Sequence, residues 1–140
     1  MADQLHVELV SAERRVRSDD ATLVVARTVD GDIGVLSGHA PLVSLLADGV
    51  VRVEGGADGT WSAAVSGGFL SVAANRVSVL AERAVLAGDI DTAAAQRELD
   101  EARRRLDGAS SDDERADAQA DVDRSSAWLR AAEQAGAGTR

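Results

Sequence analysis

The hydrophobic period of this chain changes once, close to Leu86, and that change bounds what it can fold into. Before it, apolar residues alternate with polar ones in short runs. "LHVELV" places Leu5, Val7 and Leu9 on one face, and "TLVVARTV", "VVRVE", "TWSAAV", "FLSVA" and "RVSVLAE" are similar runs rich in β-branched residues. Between them sit turn signals: "VDGD" at 29–32, "ADG" at 47–49, "GGADG" at 55–59, "SGG" at 66–68 and "AAN" at 73–75. Many short strands at this spacing predict an antiparallel β-sandwich or barrel over residues 1–86.

After Leu86 the chain is alanine-rich, charged and free of proline, which predicts helices over about 92–107 and 112–134 and a disordered tail. Asp91 is placed to cap the first helix, with Ile90 stapling onto Ala95, and Gly108 to end it. Ser111 with Glu114 three residues later is a capping-box pattern that opens the second. The connection "DGASS" is short, so residues 87–140 read as an antiparallel two-helix hairpin. The expected class is therefore α+β, a sandwich followed by a hairpin.

The hairpin seam is thin. Ala95, Leu99, Ala102 and Leu106 recur at helical spacing in the first helix, and Ala118, Val122, Ser125, Leu129 and Ala132 in the second. The large side chains are Leu99, Leu106, Val122 and Leu129, worth about 1.5–3 kcal/mol each if fully buried. Ordering the backbone costs about 1–2 kcal/mol per residue, so such a hairpin is marginal alone and free to change partners. Trp128 lies one step off the seam: either it widens the seam, or it is an exposed anchor for another surface.

Function classes narrow by elimination. A net charge of −9 argues against a general nucleic-acid binder, even though all 15 basic residues are arginine. Two histidines without cysteine make none of the usual zinc sites, so no metal and no cofactor is expected. No strand–Gly-x-Ser-x-Gly–helix context exists, and "GGADG" lacks the lysine of a phosphate loop. The start "MADQLHVELV" is not a secretory signal, and no apolar run is long enough to span a membrane. His6 reads as an exposed strand residue. Arg103, Arg104 and Arg105 read either as a solvated face favoured by the helix dipole or as a patch for an acidic partner.

The stretch "GDIGVLSGHAPLV" concentrates Gly31, Gly34, Gly38, the only proline, Pro41, and His39. Pro41 fixes its own φ and biases Ala40 towards extended geometry. This reads as a tight corner able to hold a site still. Together with "GVVRV", "VSGGFLSV", "RVSVLAERA" and "DIDTAAAQRELDEARRRL", in that order and spacing, it resembles the epsilon subunit of bacterial F-type ATP synthases. The Gly-His-x-Pro-Leu and Ser-Gly-Gly-Phe elements are the specific parts. A free-standing adaptor would explain the periodicities equally well, but not the ordered motifs.

The resemblance implies a non-catalytic rotor subunit, peripheral on the cytoplasmic face of the bacterial plasma membrane, with the gamma subunit, the c-ring and the alpha and beta subunits as partners. It implies a sandwich that bridges gamma and the c-ring, coupling proton flow to ATP synthesis, and a hairpin that restrains ATP hydrolysis. The c-ring contact would fall on a loop carrying Asp32, Gly34, Ser37, Gly38, His39 and Pro41; Ser37 stands where many members carry proline. His39 is either a contact or a loop-stabilising side chain. Arg103, Arg104, Arg105 and Arg115 would meet an acidic segment of the beta subunit. Members that bind ATP carry Ile/Leu-Asp-x-x-Arg-Ala at the first helix. Here Ile90 and Asp91 are present but Ala94 replaces the arginine, which predicts weak or absent ATP binding there.

Overall fold

The computed structural model describes residues 4–57 and 59–138. Ten strands build two five-stranded sheets: β1 (Leu5–Ser11), β2 (Arg15–Ala21), β3 (Leu23–Thr28), β4 (Gly31–Leu36), β5 (Leu42–Leu45), β6 (Gly49–Gly56), β7 (Gly59–Ser66), β8 (Phe69–Ala73), β9 (Arg76–Ala81) and β10 (Arg83–Leu86). One sheet has the order β2-β1-β9-β8-β5, the other β10-β7-β6-β3-β4. The alternation read from the sequence sets the register of burial. Leu5, Val7 and Leu9 of β1 meet Leu70, Val72, Val77 and Val79 on the inner face of the first sheet. Val24, Val35, Val51, Val53 and Val65 oppose them from the second, all nearly or fully buried.

One pairing departs from an all-antiparallel sandwich. β1 runs parallel to β9, with His6 opposite Arg76 and Ser11 opposite Ala81. A parallel pair needs a long return path, and the strands between β1 and β9 supply it.

Beyond a 3-10 turn at Ala87–Asp89, α1 spans Thr92–Asp107 and α2 spans Asp112–Gly138. Asp91 caps α1, accepting a hydrogen bond from the Ala94 amide at 3.0 Å. Ser111 Oγ accepts from the Glu114 amide, while the Glu114 carboxylate reaches back to the Ser110 amide, one residue earlier than a capping box would place it. Gly108 ends α1 at φ −92°, so its freedom to adopt positive φ is not used. Ile90 does not simply staple onto α1; it packs into the cluster beneath α2. The second helix continues past the expected end near 134, because its alanine-rich tail favours helix despite the glycines. The last two residues of the expected disordered tail lie outside the described residues.

The hairpin is folded back on the sandwich. Ala127, Trp128 and Ala131 of α2 are buried with Ala64 of β7 and Ala87, against the partly buried Val50, Val85 and Ile90. That face of α2 is distinct from the seam, where Ala95, Leu99, Ala102, Ala118 and Ser125 are buried and Leu106, Val122 and Leu129 are half-buried. Trp128 is an anchor, as one of its two readings had it, but a buried one rather than exposed, because the surface it meets is the sandwich itself.

Candidate functional site

Three surfaces concentrate the residues singled out by the sequence. The first is the stretch "GDIGVLSGHAPLV", which is not one loop. Residues 31–36 extend as β4, an edge strand hydrogen-bonded to β3, because Ile33 and Val35 alternate inward while Asp32, Gly34 and Leu36 face out. Asp32 lies directly opposite Arg27, whose Nε donates to Asp32 Oδ1 at 3.1 Å. Gly34 sits opposite Val25 within the same ladder.

The turn proper is Ser37–Pro41, at the other end of β4, roughly 13 Å from Asp32 at ~3.3 Å per strand residue. Gly38 adopts φ +83°, and its amide donates to Asn75 Oδ1 at 2.7 Å, tying this turn to the β8–β9 turn. Asn75 itself has φ +62° and offers its carbonyl to the His6 amide at 2.7 Å, so one residue joins β1, β8–β9 and the Gly38 turn. His39 Nδ1 lies 2.7 Å from the Ala40 carbonyl, which calls for a proton on Nδ1; Nε2 has no partner among the described residues. The loop-stabilising role of His39 is thus present in the geometry. Ser37 and Pro41 are exposed.

The second surface was missed by the sequence reading. Leu45, Phe69 and Leu80 lie side by side on the outer face of the first sheet, because β5, β8 and β9 bring them into register, and Val10 of β1 extends the row. Leu45, Phe69 and Leu80 are 53%, 49% and 43% exposed, and Val43, two residues along β5, is 71% exposed. In each strand these residues alternate with core positions, which is how an outward apolar row hides inside an ordinary strand pattern. A cross-strand apolar row left open to water marks a contact surface.

The third surface is the hairpin. Arg103, Arg104, Arg105 and Arg115 are all exposed. Arg105 bridges the two helices through Asp121 at 2.9 Å, and Arg115 pairs with Asp112 at 3.8 Å. Arg103 and Arg104 have no partner among the described residues. Ile90 and Asp91 are committed to packing and capping, and Ala94 offers no charge beside them. No described helix is long and apolar enough to cross a membrane.

These surfaces can be set beside known proteins. The family model described as "ATP synthase, Delta/Epsilon chain, beta-sandwich domain" matches residues 4–87. The ATP synthase epsilon chain of Streptomyces avermitilis is 51% identical over 117 residues, covering 84% of this chain and 93% of that protein. Among solved structures, a chain of the Euglena gracilis mitochondrial ATP synthase (OSCP/F1/c-ring, rotational state 1) is 25% identical, with a TM-score of 0.79 over 91% of this chain and 81% of that one. A chain of the Tetrahymena thermophila mitochondrial ATP synthase, from its central stalk and c-ring, shares the fold at 12% identity and a TM-score of 0.67, over 94% of this chain and 98% of that one.

Proposed function

Because this chain belongs to the ATP synthase epsilon-chain family and is a non-catalytic stalk subunit of that complex, we propose that its sandwich joins two neighbours at once. The gamma subunit would cover the apolar row of Leu45, Phe69 and Leu80, with Val43 beside it, and the c-ring would meet the Asp32 end of β4. The observation that carries this reading is the row itself: an apolar strip across several strands is costly to leave in water and suits a tight, rotating joint that must not slip. The β3–β4 turn next to Asp32 is tied to the end of the row, the Val29 amide donating to the Leu45 carbonyl at 3.0 Å, whereas the Ser37–Pro41 turn sits at the β8–β9 end of the same sheet. Contact with both neighbours would carry rotation between the c-ring and the catalytic head, coupling proton flow to ATP synthesis at the cytoplasmic face of the membrane.

The test is binding of the full chain to gamma. Phe69→Asp puts a charge into the centre of the row at a half-exposed position, so the sandwich should stay folded while affinity falls at least about a hundredfold. A folded variant that binds gamma as the wild type does would overturn the assignment.

The hairpin is proposed to regulate hydrolysis. Its docking surface supports a releasable element, since beyond Trp128 the buried contacts are alanines. Arg103 and Arg104 are the arginines of the group left uncommitted, and are proposed to meet the acidic segment of the beta subunit on release.

A further inference from the structure

The outer face of the first sheet does not end with the apolar row. Along β9 the outward residues Arg76, Ser78 and Leu80 alternate with core positions, and the alternation carries one step past the strand to Glu82. There the chain turns towards the second sheet, the Glu82 amide donating to the Ser66 carbonyl at 3.1 Å. A groove of about 380 Å³ opens at this end of the row, lined by Val10, Ala12, Leu45, Phe69 and Leu80, with Glu82 as its one charged residue.

Glu82 is exposed, and its carboxylate has no hydrogen bond or ion pair among the described residues. Farther along the same face, Glu8 of β1 is held by Arg15 at 3.6 Å and Asp20 of β2 by His6 at 3.2 Å, so of these three acids Glu82 alone lacks a partner. Ser11, also in the groove, is committed to the β1–β2 turn, its Oγ accepting from the Arg14 amide at 3.3 Å. Gly67 gives the carboxylate its place. A Cβ there would stand 3.0 Å from Glu82 Cδ and Oε2, so the side chain lies across bare backbone.

Covering the row takes Glu82 out of water with it. A carboxylate that loses water and gains no partner opposes association, so an occupant that is apolar throughout fits the row and not its end. A long basic side chain fits both. Its stem lies along Leu45, Phe69 and Leu80 while its head reaches Glu82, and the Phe69 ring offers a face to a guanidinium. We propose that the gamma subunit anchors in this groove through one arginine or lysine, whose charged head pairs with Glu82 and whose stem covers the end of the apolar row. The proposal rests on the reading that gamma covers the row. It makes Glu82 the residue that sets partner choice, since a surface without that cation leaves the carboxylate unpaired.

The full chain is titrated calorimetrically with the gamma subunit, and the urea midpoint of each variant is matched to that of the wild type. Glu82→Gln should weaken binding about tenfold, and Glu82→Lys at least about a hundredfold. Glu82→Leu decides the chemistry of the occupant. It lengthens the apolar row, so it tightens binding to an apolar side chain and weakens binding to a cation; weaker binding is expected. Glu98→Gln removes the same charge from an exposed position on α1 and should bind as the wild type does. Wild-type affinity in Glu82→Gln, tighter binding by Glu82→Leu, or an equal loss in Glu98→Gln overturns the pairing. Phe69→Asp separates this proposal from the reading beneath it. If Phe69→Asp weakens binding and Glu82→Gln does not, gamma covers the row without the cation; if neither does, the row itself is not covered by gamma.

Discussion

The Arg83 guanidinium, on the last strand of the sandwich, lies 4.4 Å from the centroid of the Trp128 ring in the second helix. Arg83 begins β10, so the hairpin is gripped by the strand that leads into it. A cation–π contact of this kind is worth about 0.5–2 kcal/mol, depending on how dry it is. The Trp128 ring is 6% exposed, yet its Nε1 has no hydrogen-bond partner among the described residues, and neither has Ser125 Oγ one turn earlier. An orphaned buried donor costs about 1–3 kcal/mol. The docking contact combines a strong anchor with an unpaid polar group, which leaves it close to balance.

Trp128→Ala and Trp128→Phe should therefore act in opposite directions. The alanine variant loses the anchor and about 3 kcal/mol of docking free energy, so protease cleavage within α2 should speed up sharply while the sandwich resists. The phenylalanine variant keeps a ring beneath Arg83 and removes the orphan, so α2 should become harder to cleave. Faster cleavage in both would mean that Nε1 meets a partner in solution.

Removing residues 88–140 from the assembled enzyme should raise its ATPase activity, as expected if the hairpin restrains hydrolysis. The main core draws on no residue beyond Leu86, so the truncated sandwich retains its own packing. On the same reading, Trp128→Ala releases the hairpin and should lower the activity instead. Unchanged activity in the truncated assembly would sink the regulatory role.

Gly68→Ala should be among the most damaging single changes in the sandwich. Gly68 has φ +99°, and a Cβ there would land on the Leu80 carbonyl oxygen and within 2.8 Å of Ala81 Cα. Backbone strain and the clash together should cost at least about 3 kcal/mol, read as a lower urea midpoint. This is the second glycine of the Ser-Gly-Gly-Phe motif, and its carbonyl also accepts from the Leu46 amide at 2.9 Å. The motif is a packing requirement before it is a signature.

Asn75→Gly separates conformation from hydrogen bonding at the other end of the sheets. Glycine tolerates the φ of +62° but loses the acceptor for the Gly38 amide, so the change should cost about 1 kcal/mol. The specific readout is faster exchange of the Gly38 amide, with core amides unaffected. Slow exchange there in the variant would show that the turn holds itself.

The core was legible in the sequence because burial in a sandwich has period two, and Leu5, Val7 and Leu9 announce it without help from the rest of the chain. Strand β2 was not. "RVRSDDA" carries charges and forms a strand because it is an edge held by β1, with Asp19 accepting from Trp61 Nε1 at 3.1 Å, a bond that no local pattern encodes. The apolar row of Leu45, Phe69 and Leu80 was hidden for a related reason, since it exists only once three strands find their register. The opening stretch was read correctly for Gly31 and Gly38, which adopt φ +118° and +83°, but Gly34 is an ordinary residue of the β4 ladder and the stretch is not one loop. Asp32 and His39 are neighbours in sequence and occupants of opposite ends of a strand in space. Trp128 was noticed as an oddity, but its partner Arg83 lies outside any helical spacing.

The parallel pairing of β1 with β9 bears on how the chain is made. His6 has no parallel neighbour until Arg76 has emerged from the ribosome, so the first sheet closes late and its first strand waits beside β2. Long-range closure of this kind is slow. The hairpin is synthesised after that event and settles on a sheet already complete. What was added last lies on the outside, and neither sheet needs it to close.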